Sequence, residues 1–253
     1  MELTDVLDRF RPISLEEMDA VKLMNRIDSK FLARRDQLEP LLESMLALYD
    51  VQEIDCRRLC PYHTVYLDTE SAAMYLAHHN GRKTRQKIRM REYEVNGKCF
   101  FEIKNKNNKG RTKKKRVGID RLELSATPEV TALMEKHGRY PLADLRPTLE
   151  NHFERITLVN KGRTERLTID VNLRFHHLVT DRDADFSRGV VIELKQDGNI
   201  PSQARDLLRN LRIKPIRISK YCIGSVLTNP ALKQNRFKKK LRKIDKLFNS
   251  IPE

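Results

Sequence analysis

The stretch GRKTRQKIRMREYEVNGKCFFEIKNKNNKGRTKKKRVG, Gly81 to Gly118, carries fifteen Lys and Arg against three acids, Glu92, Glu94 and Glu102. Its spacing is that of a sheet. From Gln86 to Val95, Lys87, Arg89, Arg91 and Tyr93 share one parity, and Ile88, Met90, Glu92 and Glu94 share the other. From Lys98 to Lys106, Glu102, Lys104 and Lys106 alternate with Phe101 and Ile103. Asn96-Gly97 between the two is a hairpin turn signal. Side chains two apart share a strand face, so each strand sets a row of cations against a row of apolar groups. With the apolar rows on a core, the cations line a second surface that wants a polyanion. A third strand is expected within Gly110–Asp120. There parity does not choose between Lys113 with Lys115 and Lys114 with Arg116 as the inward pair.

The whole chain extends this picture. Its 253 residues fit one large or two small domains and are enough to bury a core. A formal charge of +15 and a pI near 9.8 point to nucleic acid, anionic lipid or a phosphate-rich small substrate. No apolar run is long enough to span a bilayer, and MELTDVLDRFRP at the start has no secretory pattern. Cys56, Cys60, Cys99 and Cys222 match no zinc spacing, so reduced thiols in a cytoplasmic setting are expected.

Outward from the basic stretch, alternation recurs. RIDSKFLAR at Arg26–Arg34, YHTVYLD at Tyr62–Asp68 and GVVIELK at Gly189–Lys195 read as strands. So do Phe153–Asn160, Thr164–Asp170, Asn172–Val179 and the short Pro215–Ser219. Helices are predicted over Ser14–Met24, with the capping pair Ser14 and Glu17, and over the amphipathic Asp36–Tyr49. Others are expected at Glu70–Ala77, Thr127–His137, part of Leu142–His152, and Pro201–Leu211. The tail Ala231–Asn249 holds eight Lys and Arg and one acid, with apolar residues at helical intervals. It reads as a basic amphipathic helix that could touch an anionic membrane or nucleic acid. Strands with one charged face joined by short turns predict an α+β protein: a closed antiparallel β-barrel with a polar lumen and helices around it. Residues 1–228 would form that domain and 229–253 the tail helix.

Several of these segments carry a resemblance. RIDSKFL, TVYLDT, KIRMREY, FFEIKNK, RLTIDVNLRF, VIELK and ISKYCIG occur in this order between Arg26 and Gly224. The ordered set resembles the vacuolar transporter chaperone (VTC) domain, the polyphosphate polymerase branch of the triphosphate tunnel (CYTH-like) superfamily. The resemblance implies a tunnel that binds ATP with a divalent metal, Mn2+ or Mg2+, and moves the terminal phosphoryl onto a growing polyphosphate chain. It implies phosphate-binding roles for Lys30, Arg89, Arg91, Lys104, Lys106, Arg155 and Arg166, and, in the basic segment, for Lys114 and Arg116. Arg217 falls where the family has a further basic residue. Glu193 matches the metal-holding carboxylate and Lys220 the catalytic lysine.

Two departures bear on the chemistry. The hydrolytic members of the superfamily begin with ExExK, and here the segment is Arg26-Ile-Asp28-Ser-Lys30. A base replaces one acid, which counts against a second metal and against hydrolysis. Lys106 stands where eukaryotic polymerases of the family carry histidine. A triphosphatase or other tunnel enzyme, and a non-catalytic module for polyphosphate or RNA, are the competing readings. Without the resemblance, Glu193 and Lys220 read equally well as structural salt-bridge partners.

Overall fold

The alternating stretches fold as strands, and the basic stretch is three of them. The structure, a computed structural model, describes residues 2–19, 26–198 and 200–249. In chain order the elements are α1 (Leu3–Asp8), β1 (Arg11–Ile13), α2 (Leu15–Asp19), β2 (Arg26–Arg34), α3 (Leu38–Met45), β3 (Tyr49–Gln52), β4 (Cys60–Asp68), α4 (Ala73–His79), β5 (Arg85–Tyr93), β6 (Lys98–Lys106), β7 (Thr112–Ile119), α5 (Pro128–His137), β8 (Arg146–Asn160), β9 (Glu165–His177), β10 (Arg182–Asp185), β11 (Gly189–Asp197), α6 (Gln203–Asn210), α7 (Lys220–Thr228) and α8 (Lys238–Asn249). Residues 20–24 of the first expected helix lie outside the described residues. Its start is capped reciprocally by Ser14 and Glu17 as expected.

One sheet runs β2-β11-β9-β8-β4-β5-β6-β7, with every neighbouring pair antiparallel. Its outer face is covered in two places. Phe31, Ile156, Ile169, Ile192 and their neighbours pack under α3 and α6. Val65, Ile88, Met90, Phe101 and Ile103 pack under α5. The inner face has its own apolar cluster, in which Leu32, Val191, Tyr66, Leu149, Phe153 and Phe175 meet Tyr221, Cys222 and Ile223 of α7. Side chains from β2 and β4 can share one cluster only if the sheet curls. The approach of α7 is close: a Cβ at Gly224 would lie 2.4 Å from the Phe175 ring.

The curl is not closed by hydrogen bonds. Among the described residues no hydrogen bonds join the end strands β2 and β7, so the expected closure is corrected to an open seam. Each edge has a reason to stay unpaired. On β2, Ile216 donates its N–H to Lys30 O at 2.8 Å and Phe31 bridges Pro215, so another segment takes the edge. β7 is exposed along most of its length and carries Lys113, Lys114, Lys115 and Arg116 in a row, a charged edge that resists pairing.

Three other expectations change. Leu142–His152 is not helical beyond a single turn at Leu142–Asp144; β8 starts at Arg146. Leu145 and Leu149 are four apart, which imitates a helix, but Pro147 suits extended chain at the margin of a ladder. Pro215–Ser219 makes only the bridge at Pro215. Thr164–Asp170 and Asn172–Val179 are one strand, β9, broken by a bulge. Asn172 has φ of 52°, and the pairing with β8 shifts between His152 and Glu154. On one side of the bulge Leu173 and Phe175 face inward. On the other side Val171 and Ile169 face outward, which leaves Asp170 and Thr168 facing inward.

The tail helix is docked. Ile244 and Phe237 are buried, and Leu241, Leu247 and Phe248 pack on the α7 cluster. Its apolar stripe is therefore used within the chain, and Lys238, Lys239, Arg242, Lys243 and Lys246 face outward. No described helix is long and apolar enough to cross a membrane.

Candidate functional site

Past the bulge, the inner face is charged. At its centre Arg155 of β8 donates from Nε and Nη2 to the two oxygens of Asp170 at 2.6 and 2.9 Å. Lys220 Nζ lies 2.7 Å from the same carboxylate and 2.9 Å from the ring centre of Phe153. Arg91 and Arg155 both stand over Tyr62 and Phe153, a use of aromatic faces that suits guanidinium. Lys220 is delivered by α7: Ser219 caps the helix by accepting from Cys222 N, so Lys220 is its first residue. Positive charge at a helix N-terminus is unfavourable unless an anion balances it, and here Asp170 does.

A second group lies on β5, β6 and β7. Glu102 accepts from Arg89 Nε at 2.7 Å and from Lys114 Nζ at 2.6 Å. This settles the parity left open in the sequence: Lys114 and Arg116 face inward, opposite Lys104 and Glu102, and Arg116 covers Phe100 at 4.3 Å. Lys87 donates to Ser219 Oγ at 2.6 Å, which ties β5 to the start of α7. A third group lies on β2 and β11. Lys30 and Glu193 are register partners with Nζ and Oε2 3.5 Å apart. Lys104 joins the second and third groups across the curl. It is reached by solvent, yet it feels Glu193 and Lys30 at the other end of the sheet order, as a residue lining a passage does.

Burial and charge set the protonation. Burial works against ionised Asp170, but Arg155 and Lys220 outweigh it and hold the carboxyl far below its ordinary value. Glu102 is held far down in the same way by Arg89, Arg91 and Lys114. Burial also opposes ionisation of Glu193, yet Lys30, Lys195 and Lys104 hold it down at about 2. Burial pushes the Lys220 ammonium well below its ordinary value; Asp170 opposes this, and Arg155 and Arg91 add to it. Burial brings Lys87 down to about 8. Lys104 and Arg91 are lowered, again chiefly by burial.

The three carboxylates differ in what they have left to give. Asp170 and Glu102 are each held by two short ion pairs, whereas among the described residues Glu193 has one long contact, to Lys30. Thr168, the register partner of Glu193 on β9, has its hydroxyl buried without a hydrogen-bond partner. An ionised carboxylate with spare oxygen capacity beside an unpaired hydroxyl fits a hard divalent cation, which needs only one or two protein carboxylates when phosphates complete its shell.

The residues expected from the sequence divide as follows. Lys30, Arg89, Arg91, Lys104, Lys114, Arg116, Arg155, Glu193 and Lys220 converge on the charged inner face. Arg166 shares that face, in the row of Lys195. Lys106 and Arg217 are farther out, at the rim; Arg217 is exposed, and the two cations feel each other. Sequence reasoning missed Asp170, Thr168 and Asn172, and it placed Lys87 in the row of cations without a role. Asp68 is a further case. The end of TVYLDT looks functional, but its buried carboxylate accepts from the backbone of Met74 and Tyr75 and from the Tyr221 hydroxyl, fixing α4 and α7 to β4.

An antiparallel sheet curled around converging cations, with buried acids paired to them, is the arrangement that the resemblance to the CYTH-like class implied. Within that class it belongs to the VTC domain family, whose model matches residues 25–229. Among solved structures it is similar to a protein of Bacillus halodurans described as a candidate adenylate cyclase, with 14% identity and a TM-score of 0.49, over 78% of this chain and 96% of that one. A Hippeastrum protein, described as a candidate adenylyl cyclase with a dominant triphosphatase activity, aligns with 14% identity and a TM-score of 0.48 over 80% and 96%. A candidate adenylate cyclase of Vibrio parahaemolyticus aligns with 10% identity and a TM-score of 0.47 over 80% and 99%. No curated protein sequence matches the chain.

Proposed function

We propose that this chain is a polyphosphate polymerase, transferring the terminal phosphoryl of ATP to the end of a polyphosphate chain and releasing ADP. The observation that carries the reading is the meeting of Lys220, Arg155 and Asp170 within a face that gathers cations from β2, β5, β6, β7 and β8. Phosphoryl transfer needs alignment of the reacting oxygens and neutralisation of charge more than covalent help. Arg89, Arg91 and Arg155 offer planar forks that hold phosphate oxygens in a fixed direction, and Lys30, Lys104 and Lys114 supply compact charge.

In the reaction the bond between the γ-phosphorus and its bridge to ADP breaks. A terminal oxygen of the chain bonds to that phosphorus. In this reading Lys220 contacts the moving phosphoryl, with Asp170 holding the ammonium in place. Glu193, with Thr168 beside it, would hold Mn2+ or Mg2+, which would supply further neutralisation of phosphate charge. Of the other acids of the face, Glu102 and Asp170 are each tied to two cations, and Asp28 lies in the row of Lys30 and Lys195. That leaves few groups to activate a water and favours transfer to phosphate over hydrolysis. The outward cations of α8 form a surface for the emerging polyanion.

Purified protein given ATP and Mn2+ is expected to produce long polyphosphate and ADP in step. Free phosphate or pyrophosphate without chains would assign a triphosphatase or another tunnel activity. Binding of polyphosphate with no turnover would assign a binding module.

A further inference from the structure

Between the two helical layers of the outer face a strip of sheet is left uncovered. α3 and α6 cover the β2–β11–β9–β8 side, and α5 covers the β4–β5–β6 side. On the strip His63 of β4 and His152 of β8 are direct register partners. Their rings stack with centres 3.9 Å apart and planes 21° from parallel. Glu150, two residues before His152 on the same face, brings Oε2 within 3.1 Å of His63 Nε2. One donor atom from each of the three residues lies within 4.8 Å of the others.

We infer that His63, Glu150 and His152 form a transition-metal site on the outside of the sheet, separate from Glu193, that takes a borderline dication of the Zn2+ type. Two imidazoles and one carboxylate are a donor set that favours zinc, cobalt or nickel over magnesium, which prefers oxygen alone. Tetrahedral bonds of about 2.0–2.2 Å place donors a little over ~3 Å apart. The lone pairs of two near-parallel rings do not converge, so binding turns one ring out of the stack, and His152, half exposed, is free to turn. The charge around the site points the same way. In a protein of net charge +15, the groups facing His152 include three acids, Glu150, Glu94 and Glu92. Glu94 Oε1 is 3.9 Å from His152 Nδ1, within reach of a fourth position.

A cation here joins β4 to β8 directly behind Tyr62, Thr64 and Phe153. It binds the folded chain alone, so it raises the melting temperature.

The test uses the full-length chain with Glu193→Gln, which removes the inner-face carboxylate, after stripping with a chelator. One equivalent of Co2+ is expected to give the visible absorption of a low-symmetry four- or five-coordinate site. Zn2+ should displace it and Mg2+ should not. Zinc a hundredfold above its Kd should raise the melting temperature by roughly 5 °C. His63→Ala and His152→Ala are each expected to weaken binding at least tenfold. His152→Gln repeats the test at the most exposed ligand, where folding is least at risk. Absorption that fails to develop, that survives both histidine changes, or that carries the thiolate charge-transfer band of Cys56 ligation overturns the assignment.

Discussion

The inner face of the sheet has two halves built from the same strands. On one side of the Asn172 bulge, Leu173 and Phe175 of β9 join Leu149 and Val191 beneath α7, and the surface is apolar. On the other side the same strand presents Asp170 and Thr168, next to Arg155 and Glu193, and the surface is charged. Strand propensity is the same in both halves. What differs is one left-handed residue, which shifts β9 by one position and turns its outward side chains inward. A single bulge separates the part of the interior that holds the fold together from the part open to a ligand.

The strongest way to break that division is to delete Asn172. Deletion restores strict alternation, which turns Asp170 and Thr168 out under α3 and α6 and brings Val171 and Ile169 into the charged half. The expected result is an unfolded or insoluble chain, seen by circular dichroism and solubility. A soluble, ATP-binding product would show that the bulge is incidental.

Next in size is Lys220→Ala, which keeps α7 in place but removes its charge from the border of the halves. Polyphosphate synthesis should fall by about 10²–10³ or more while ATP still binds; full activity would refute the role of Lys220. Asp170→Asn tests the same border through stability. It leaves Arg155 and Lys220 without their shared counter-ion, at a cost of about 3–5 kcal/mol in a urea titration. Added polyphosphate should recover part of that loss, and an unchanged midpoint would count against the pairing.

Arg89→Ala and Arg91→Ala act only in the charged half. Each should weaken ATP about 10- to 100-fold, the value of a charged hydrogen bond. Equal affinity in both variants would place them outside the site.

The smallest effect is on pH. Folded Lys87 loses its proton as pH rises through about 8, whereas the unfolded chain holds it until about 10.5. Triphosphate affinity should therefore fall about fivefold across pH 8. Between pH 8 and 10.5 the unfolded state binds more protons, so stability from this group rises with pH. Lys87→Met should flatten both trends, and a Lys87→Met profile that matches the original would remove Lys87 from the account.

The charged half was more legible in the sequence than the apolar half. Lys87, Arg89 and Arg91 against Ile88 and Met90, with Asn96-Gly97 after them, show strand, face and turn within a few residues. Gly97 takes the positive φ, 63°, that such a turn asks for. Glu193 and Lys220 were singled out through the ordered motifs, and both lie on the charged inner face. β7 was not decidable because both of its parities are cationic; the choice lies in the contact of Lys114 with Glu102 on another strand. α7 escaped because it is buried nearly all round, so it has no polar stripe to set its period. Asp170 sits among Leu167, Ile169 and Val171, where a strictly alternating strand would hide its direction; only the bulge decides it. His63 and His152 are far apart in the chain and meet only through the β4–β8 register.

The unjoined edges of β2 and β7 have a mechanical consequence. A cylinder stitched all round by backbone hydrogen bonds has a fixed bore. Among the described residues no ladder spans the gap; the Pro215–Ile216 segment lies along β2, and Lys104 faces Lys30 and Glu193 across the opening. If the proposed function holds, a chain of phosphates lying along that gap would join the two rims by charge where backbone pairing does not.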